Sequence, residues 1–204
     1  AYGDSASMFT VESGLSFLQG KKGKEVANEK VTLWDDGTLP NALGSGAYDQ
    51  EGHPTQKNLI VGRGVMRDFL YNTSYAKKYN TKSTGNAGLI SPSANNLYLE
   101  PGNVSKEKMF EGFNGLYIAN VWYTRFQNYN TGDFSTIPRD GVFLVKNGKF
   151  TPLKEIRITE NMINLMKNVK TIGSDLQQVY SWEVGTPTFT PHVMVKDVNI
   201  TKPQ

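Results

Sequence analysis

The sequence predicts an α+β fold, built mainly from antiparallel sheets and hairpins with a few short helices. Three observations carry this. Leu116 to Tyr123 is the most strand-like run of the chain, apolar and aromatic through most of its length. Asn147-Gly148 lies between two apolar runs and marks a hairpin, because both central positions of a type I′ turn need positive φ. No regular strand–helix–strand alternation runs along the chain, so a parallel sheet is not expected.

In chain order, residues 5–29 mix small and apolar residues with lysines and predict a loop plus a short helix. Residues 1–30 are read as a lead-in segment to one domain over residues 31–204. Val31-Thr32-Leu33-Trp34 has strand composition and runs into Asp35 to Pro40, a cluster of turn residues. Residues 41–57 are rich in Gly, Asn and polar side chains and predict a long loop. Asn58 to Val61 and Val65 to Leu70 flank Gly62-Arg63-Gly64 as a first hairpin. Thr73 to Tyr79 predicts a short helix. Ser105 is placed to cap a helix over Lys106 to Phe113, which Gly115 would end. Val142 to Val145 and Phe150 to Leu153 form a second hairpin around Asn147-Gly148. Thr159 is read as the cap of a helix reaching Val169, whose wide apolar stripe is a core face. Val193 to Ile200 reads as a closing strand.

Composition narrows the function. The 204 residues are 38% hydrophobic, enough for a core without disulfide or metal support. The formal charge is only +3, from 22 Lys and Arg against 19 Asp and Glu, so nucleic acid is not an expected partner. The basic run Lys21-Lys22-Gly23-Lys24 is read as a solvated loop. No apolar stretch has the ~18 residues of a membrane span, and no membrane partner is expected. The first residues lack the basic and apolar regions of a signal peptide, and with no initiator Met the chain reads as a mature form or a fragment. There is no cysteine, which removes disulfide and thiolate chemistry. Asn72, Asn103 and Asn199 open Asn-X-Ser/Thr triplets, a number an Asn-rich chain supplies by chance.

The residue types that usually carry catalysis are sparse. A catalytic zinc needs three protein ligands and an open position. His53 and His192 are the only imidazoles, and neither has a second histidine at helical spacing. His53 lies in a Gly-His-Pro turn and His192 follows Pro191; both read as ordinary polar loop residues. A Ser-His-Asp site would need folding to bring a serine beside one of them, and no Gly-X-Ser-X-Gly elbow supports it. Gly44-Ser45-Gly46 and Gly62-Arg63-Gly64 lack the spacing or the following helix of a phosphate loop. The carboxylates Asp35, Asp36, Asp49, Glu51, Asp133 and Asp140 are scattered. Tyr117, Trp122, Tyr123, Phe126 and Tyr129 cluster around Arg125, and a core or interface role fits them better than base stacking, since no lysines interleave.

Three phrases stand in order in the middle of the chain: Lys82-Ser83-Thr84-Gly85-Asn86-Ala87, Asn96-Leu97-Tyr98-Leu99-Glu100-Pro101-Gly102 and Asn130-Thr131-Gly132-Asp133-Phe134-Ser135. They resemble the C-terminal half of the TldD/PmbA (TldD/TldE) family. Leu33 to Ser45, Asp49 to Thr55, Gly64 to Leu70, Asp140 to Lys149, Ile172 to Leu176 and Val184 to Pro187 are similar to further family phrases in the same order.

The resemblance implies a role in a zinc metallopeptidase system, historically labelled a modulator of DNA gyrase. Its catalytic subunits carry two zinc histidines and a glutamate on an upstream helix. They add a cysteine ligand between the phrases matched here by Gly173-Ser174-Asp175-Leu176 and Gly185-Thr186-Pro187. Here that interval is Gln177 to Glu183 and holds no cysteine. The expectation is therefore a non-catalytic, TldE/PmbA-like component with no metal or cofactor of its own, zinc belonging to a catalytic partner. The implied partners are a TldD-like catalytic subunit, or a second copy in a homodimer, and a peptide or unfolded protein as substrate, in the cytoplasm. Thr84, Gly85, Asn86, Asn96, Glu100, Thr131, Gly132 and Asp133 are the candidates for a peptide groove or subunit interface. A stand-alone binding module that kept the fold without proteolysis is the alternative, and the slight net charge gives DNA or gyrase binding little support.

Overall fold

The computed structural model describes residues 1–201, and the last three residues of the predicted 31–204 domain lie outside them. The architecture is α+β with mostly antiparallel sheets and five short helices among the described residues. The first sheet contains β1 (Leu33–Asp36), β2 (Lys57–Gly62), β3 (Val65–Met66), β4 (Leu97–Leu99), β10 (Gln177–Ser181) and β11 (Val184–Thr190), in the order β10-β11-β4-β1-β2-β3. Its one parallel pairing joins β11 to β4. The second sheet holds β5 (Gly115–Asn128), β6 (Asp133–Lys146), β8 (Arg157–Asn161) and β13 (Ile200–Thr201), with β7 (Lys149–Pro152) also paired to β6. β9 (Val169–Ile172) and β12 (Val193–Val195) form a separate ribbon.

Residues 1–30 pack into the common core. α1 (Tyr2–Ala6) and α2 (Met8–Glu12) bring Tyr2, Ala6, Met8 and Val11 to the cluster that holds Ile60, Leu70, Phe134 and Ile172. Phe17 is fully buried, edge-on to Tyr2 and stacked 6.1 Å from Phe126 of β5. Burying a phenylalanine contributes about 1.5–3 kcal/mol, so this segment clamps the second sheet to the first.

Several elements depart from the sequence expectation. The predicted helix within 5–29 is replaced by α1 and α2 at its start, followed by turns. Asp35 and Asp36, expected in a turn, are the end of β1, because loop donors satisfy Asp35 inside the sheet. The strand predicted over 65–70 stops at Met66. Thr159 is inside β8, and the helix it was expected to cap is α5 (Met162–Lys167), capped by Asn161. The predicted closing strand is two short strands in different sheets, β12 and β13. The expected helix at 73–79 is α3 (Thr73–Lys78), and Ser105 caps α4 (Lys106–Phe110) by accepting the Lys108 N–H. Asn147 and Gly148 take φ of 48° and 75° at the β6–β7 turn. No described helix is long and apolar enough to cross a membrane.

Candidate functional site

The loop that carries Thr84, Gly85, Asn86 and Asn96 is held by one buried carboxylate. Asp35 is completely buried, and its Oδ1 accepts the N–H of Asn95 at 2.6 Å and of Asn96 at 3.1 Å. Its Oδ2 accepts the Asn86 amide at 2.6 Å. Burial pushes the carboxyl up to about 6, and these donors work in the opposite direction by favouring the charged form. Asn96 donates to the Asp36 carbonyl at 2.8 Å and to Ser45 Oγ at 3.0 Å, and accepts the Gly44 N–H. Asn86 accepts from Asn58 Nδ2 at 3.0 Å. Asp49 extends the network by accepting the Glu51, His53 and Ala87 N–H groups. Loops 37–56 and 84–96 are thus fixed against β1.

This assigns work to the first group of predicted residues. Asn86 and Asn96 are 1% and 0% exposed, so their side chains act inside the fold and position the loops rather than line a groove. Thr84 Oγ1 accepts the Tyr71 N–H at 2.8 Å and pins the start of its loop. Gly85 has φ +67°, and a Cβ there would lie 2.3 Å from the Pro54 carbonyl oxygen, so only glycine lets these loops meet. Glu100 is exposed and accepts the Trp34 indole N–H at 2.6 Å.

Thr131, Gly132 and Asp133 form a second, separate tie at the β5–β6 turn. Asn161 donates to the Thr131 carbonyl at 2.7 Å and to Asp133 Oδ1 at 2.8 Å. With its own Oδ1 it accepts the Ile163 and Asn164 N–H groups at the start of α5. Hydrogen bonds from Asn161 and then Thr131 hold the Asp133 carboxyl below the ordinary carboxylate range. The Gly132 carbonyl accepts the Met162 N–H at 2.9 Å. Among the described residues no hydrogen bond joins this group to the Asp35 network, so seven of the eight predicted residues fall into two separate joints, and Glu100 stands apart beside Trp34.

The interval 177–183 is β10 and its turn. All five β10 residues are exposed. Glu183 accepts the Tyr123 and Thr124 N–H groups at 2.6 Å each and lies 3.4 Å from Arg125, tying the β10–β11 tip to β5. Trp182 packs edge-on against Trp122 and Tyr123. At the base of the same hairpin is a constellation that sequence reasoning missed. His192 Nδ1 is hydrogen-bonded to Asp175 Oδ2, and Nε2 is 3.4 Å from the Tyr117 hydroxyl. Burial works to raise the Asp175 carboxyl, but hydrogen bonds from the His192 ring and backbone outweigh it and leave the group below its ordinary range. The missed signal is one of register. Gln177 pairs with Thr190, and two further residues outward place Asp175 opposite His192. Among the described residues no three His, Cys, Asp or Glu side chains converge on a metal position.

Comparison with known proteins identifies the fold and the lineage. Residues 1–202 match the family model described as the PmbA/TldA metallopeptidase C-terminal domain. A "Metalloprotease TldD homolog" from Buchnera aphidicola of Acyrthosiphon pisum is 30% identical over 172 residues, covering 80% of this chain and 35% of its own length. A "Metalloprotease" from Methanothermobacter thermautotrophicus is 31% identical over 186 residues, covering 87% of this chain and 40% of its own. The crystal structure of TldE from Thermococcus kodakarensis superposes with a TM-score of 0.84 at 25% identity, over 96% of this chain and 45% of that one. The chain therefore spans about 35–45% of the length of these relatives.

Proposed function

The chain belongs to the PmbA/TldD family, and on that premise we propose that it is a TldE-like, non-catalytic component of a zinc-dependent peptidase. Its partner is a TldD-like subunit, or a second copy, and the substrate is an extended peptide or unfolded protein handled in the cytoplasm. The observation that carries this reading is the interval 177–183. Where the resemblance places the late cysteine ligand of a catalytic subunit, this chain has an exposed strand and Glu183, whose carboxylate is committed to the Tyr123 and Thr124 N–H groups. No cysteine exists anywhere in the sequence to replace that ligand. A zinc on the partner would supply an activated water for peptide hydrolysis. The residues of this chain would supply the wall and the docking surface.

The two joints described above suit that role. The Asp35 network holds Thr84, Gly85, Asn86 and Asn96 so that their loop presents a fixed surface, while Glu100 beside Trp34 and Thr131 at the separate β5–β6 joint are exposed polar residues. A surface ordered before binding loses less entropy when a partner or peptide docks.

Reconstitution tests the reading. The purified protein alone is expected to leave an unstructured peptide intact. Mixed with a family subunit that carries the two-histidine helix, it is expected to co-elute with that subunit and support cleavage. Peptide turnover by the lone protein, or no association with the catalytic subunit, overturns the proposal.

A further inference from the structure

Tyr117, His192 and Asp175 come from three different parts of the chain: β5, the β11–β12 link and the β9–β10 link. The protons can be assigned from chemistry. Asp175 Oδ2 can only accept, so His192 Nδ1 carries the proton and Nε2 is left with a free lone pair. The Tyr117 hydroxyl then donates to Nε2, at a separation of 3.4 Å that is long for such a bond and common before a substrate arrives. The two ring planes are nearly parallel, 17° apart, with their centroids 6.0 Å from each other. Asp175 is fixed in turn, because its Oδ1 accepts the His192 backbone N–H at 3.2 Å. A Cβ at Gly173 would fall 2.5 Å from that same oxygen, so glycine there makes room for the carboxylate.

The surroundings separate a reactive hydroxyl from a packing residue. The rings around Tyr117 are Phe110 at 5.4 Å, Phe143 at 6.3 Å and Phe150 at 6.2 Å. Of these four clustered rings only the one facing His192 carries a hydroxyl. The Lys106 ammonium lies over the Tyr117 ring, 5.9 Å from its centroid. The histidine and aspartate side chains are 28% and 23% exposed, so a small molecule can reach the group.

We propose that Tyr117 is a base-activated nucleophile, with His192 as its base and Asp175 as the positioning residue, and that the site accepts acyl or sulfonyl donors bearing an apolar or aromatic group. In the acyl case Tyr117 Oη forms a bond to the carbonyl carbon and its proton passes to His192 Nε2. The bond from that carbon to the leaving oxygen then breaks, and the leaving oxygen takes the proton from His192. Tyr117 is left as an ester, with nothing oxidised or reduced. The adjoining phenylalanines receive the apolar group of the donor. This inference is independent of the peptidase reading.

The probe is phenylmethanesulfonyl fluoride, which forms an S–O bond to the tyrosine as the S–F bond breaks and fluoride leaves. The whole protein is treated, digested, and the label on each of its 10 tyrosines followed by mass spectrometry. Tyr117 is expected to react about tenfold or more faster than Tyr123 and Tyr180, a modest share of what general-base assistance provides, although those two are 43% and 59% exposed. His192→Gln and Asp175→Asn should each lower the Tyr117 rate several-fold and leave Tyr123 and Tyr180 unchanged. In His192→Ala, added imidazole should restore labelling at Tyr117, which a purely structural His–Asp tie would not do. If the variants fail to fold, the ratio within the unaltered protein decides. Tyr117 reacting no faster than Tyr180, or a rate indifferent to His192→Gln in a folded protein, overturns the proposal.

Discussion

The Asp35 network and the β5/β10–β11 face are ordered by opposite means. In the first, a carboxylate is stripped of water and its oxygens are occupied by the Asn86 amide and two backbone N–H groups. In the second, Trp122, Tyr123 and Trp182 pack at the surface, with the Arg125 and Arg139 guanidiniums 5.6 and 5.3 Å from the Tyr123 ring. Trp182 remains 64% exposed. Buried polar groups lose heavily when one partner is removed, because the others cannot return to water. Surface contacts are exchanged for water at little cost. The difference teaches that the loops with residues 84–96 are built to be rigid, whereas the β10–β11 face is built to be available.

Substitutions should expose this asymmetry. The largest effect is expected from Asp35→Ala, which leaves one Asn86 amide proton and the Asn95 and Asn96 N–H groups without their acceptor, while the other Asn86 proton keeps the Ser93 carbonyl. The loss should be about 3–5 kcal/mol, read as a fall in Tm of about 10 °C for a chain of this size. A fall no larger than that of a surface variant would break the comparison.

Next comes the pH dependence carried by Asp35. Its folded value of about 6 lies above the unfolded value of ~3.9. The folded state therefore holds the proton more tightly. The contribution of this group to stability is most favourable below pH ~4, declines as pH rises from there to about 6, and is level above that. A carboxyl carbon NMR titration should place the Asp35 midpoint near 6; a midpoint near the unfolded value would mean that its donors fully offset burial.

Gly85→Ala should cost about 2 kcal/mol, because alanine must hold positive φ with its Cβ against the Pro54 carbonyl. Chemical denaturation measures this. The smallest effect is expected from Glu183→Ala on the other face, at about 1 kcal/mol or less. Hydrogen exchange sharpens that case, since the Tyr123 and Thr124 amides should lose protection while the Asn95 and Asn96 amides keep theirs.

What could be read from the sequence follows from the range of the forces involved. The Asn147-Gly148 turn, the Ser105 cap and the long β5 strand were legible because their causes lie within a few residues. The resemblance phrases likewise marked a family that the full-length match shares. The buried role of Asp35 was not legible, since its donors are 51 to 61 residues away and an Asp-Asp-Gly run looks like a turn. Thr159 and Asn161 are both plausible caps by type, and the pairing of β8 with β6 decides between them by placing Thr159 in a ladder. The Tyr117–His192–Asp175 contact spans 75 residues and leaves no local mark on Tyr117. Only the register of the β10–β11 hairpin, once known, places His192 opposite Asp175.

Metal content most directly tests whether this protein is the non-catalytic member of its family. After purification in zinc-containing buffer and extensive dialysis, elemental analysis paired with native mass spectrometry should find far less than one zinc per chain on the isolated protein, and zinc only in complexes that contain a catalytic subunit. About one zinc retained per isolated chain would contradict the account.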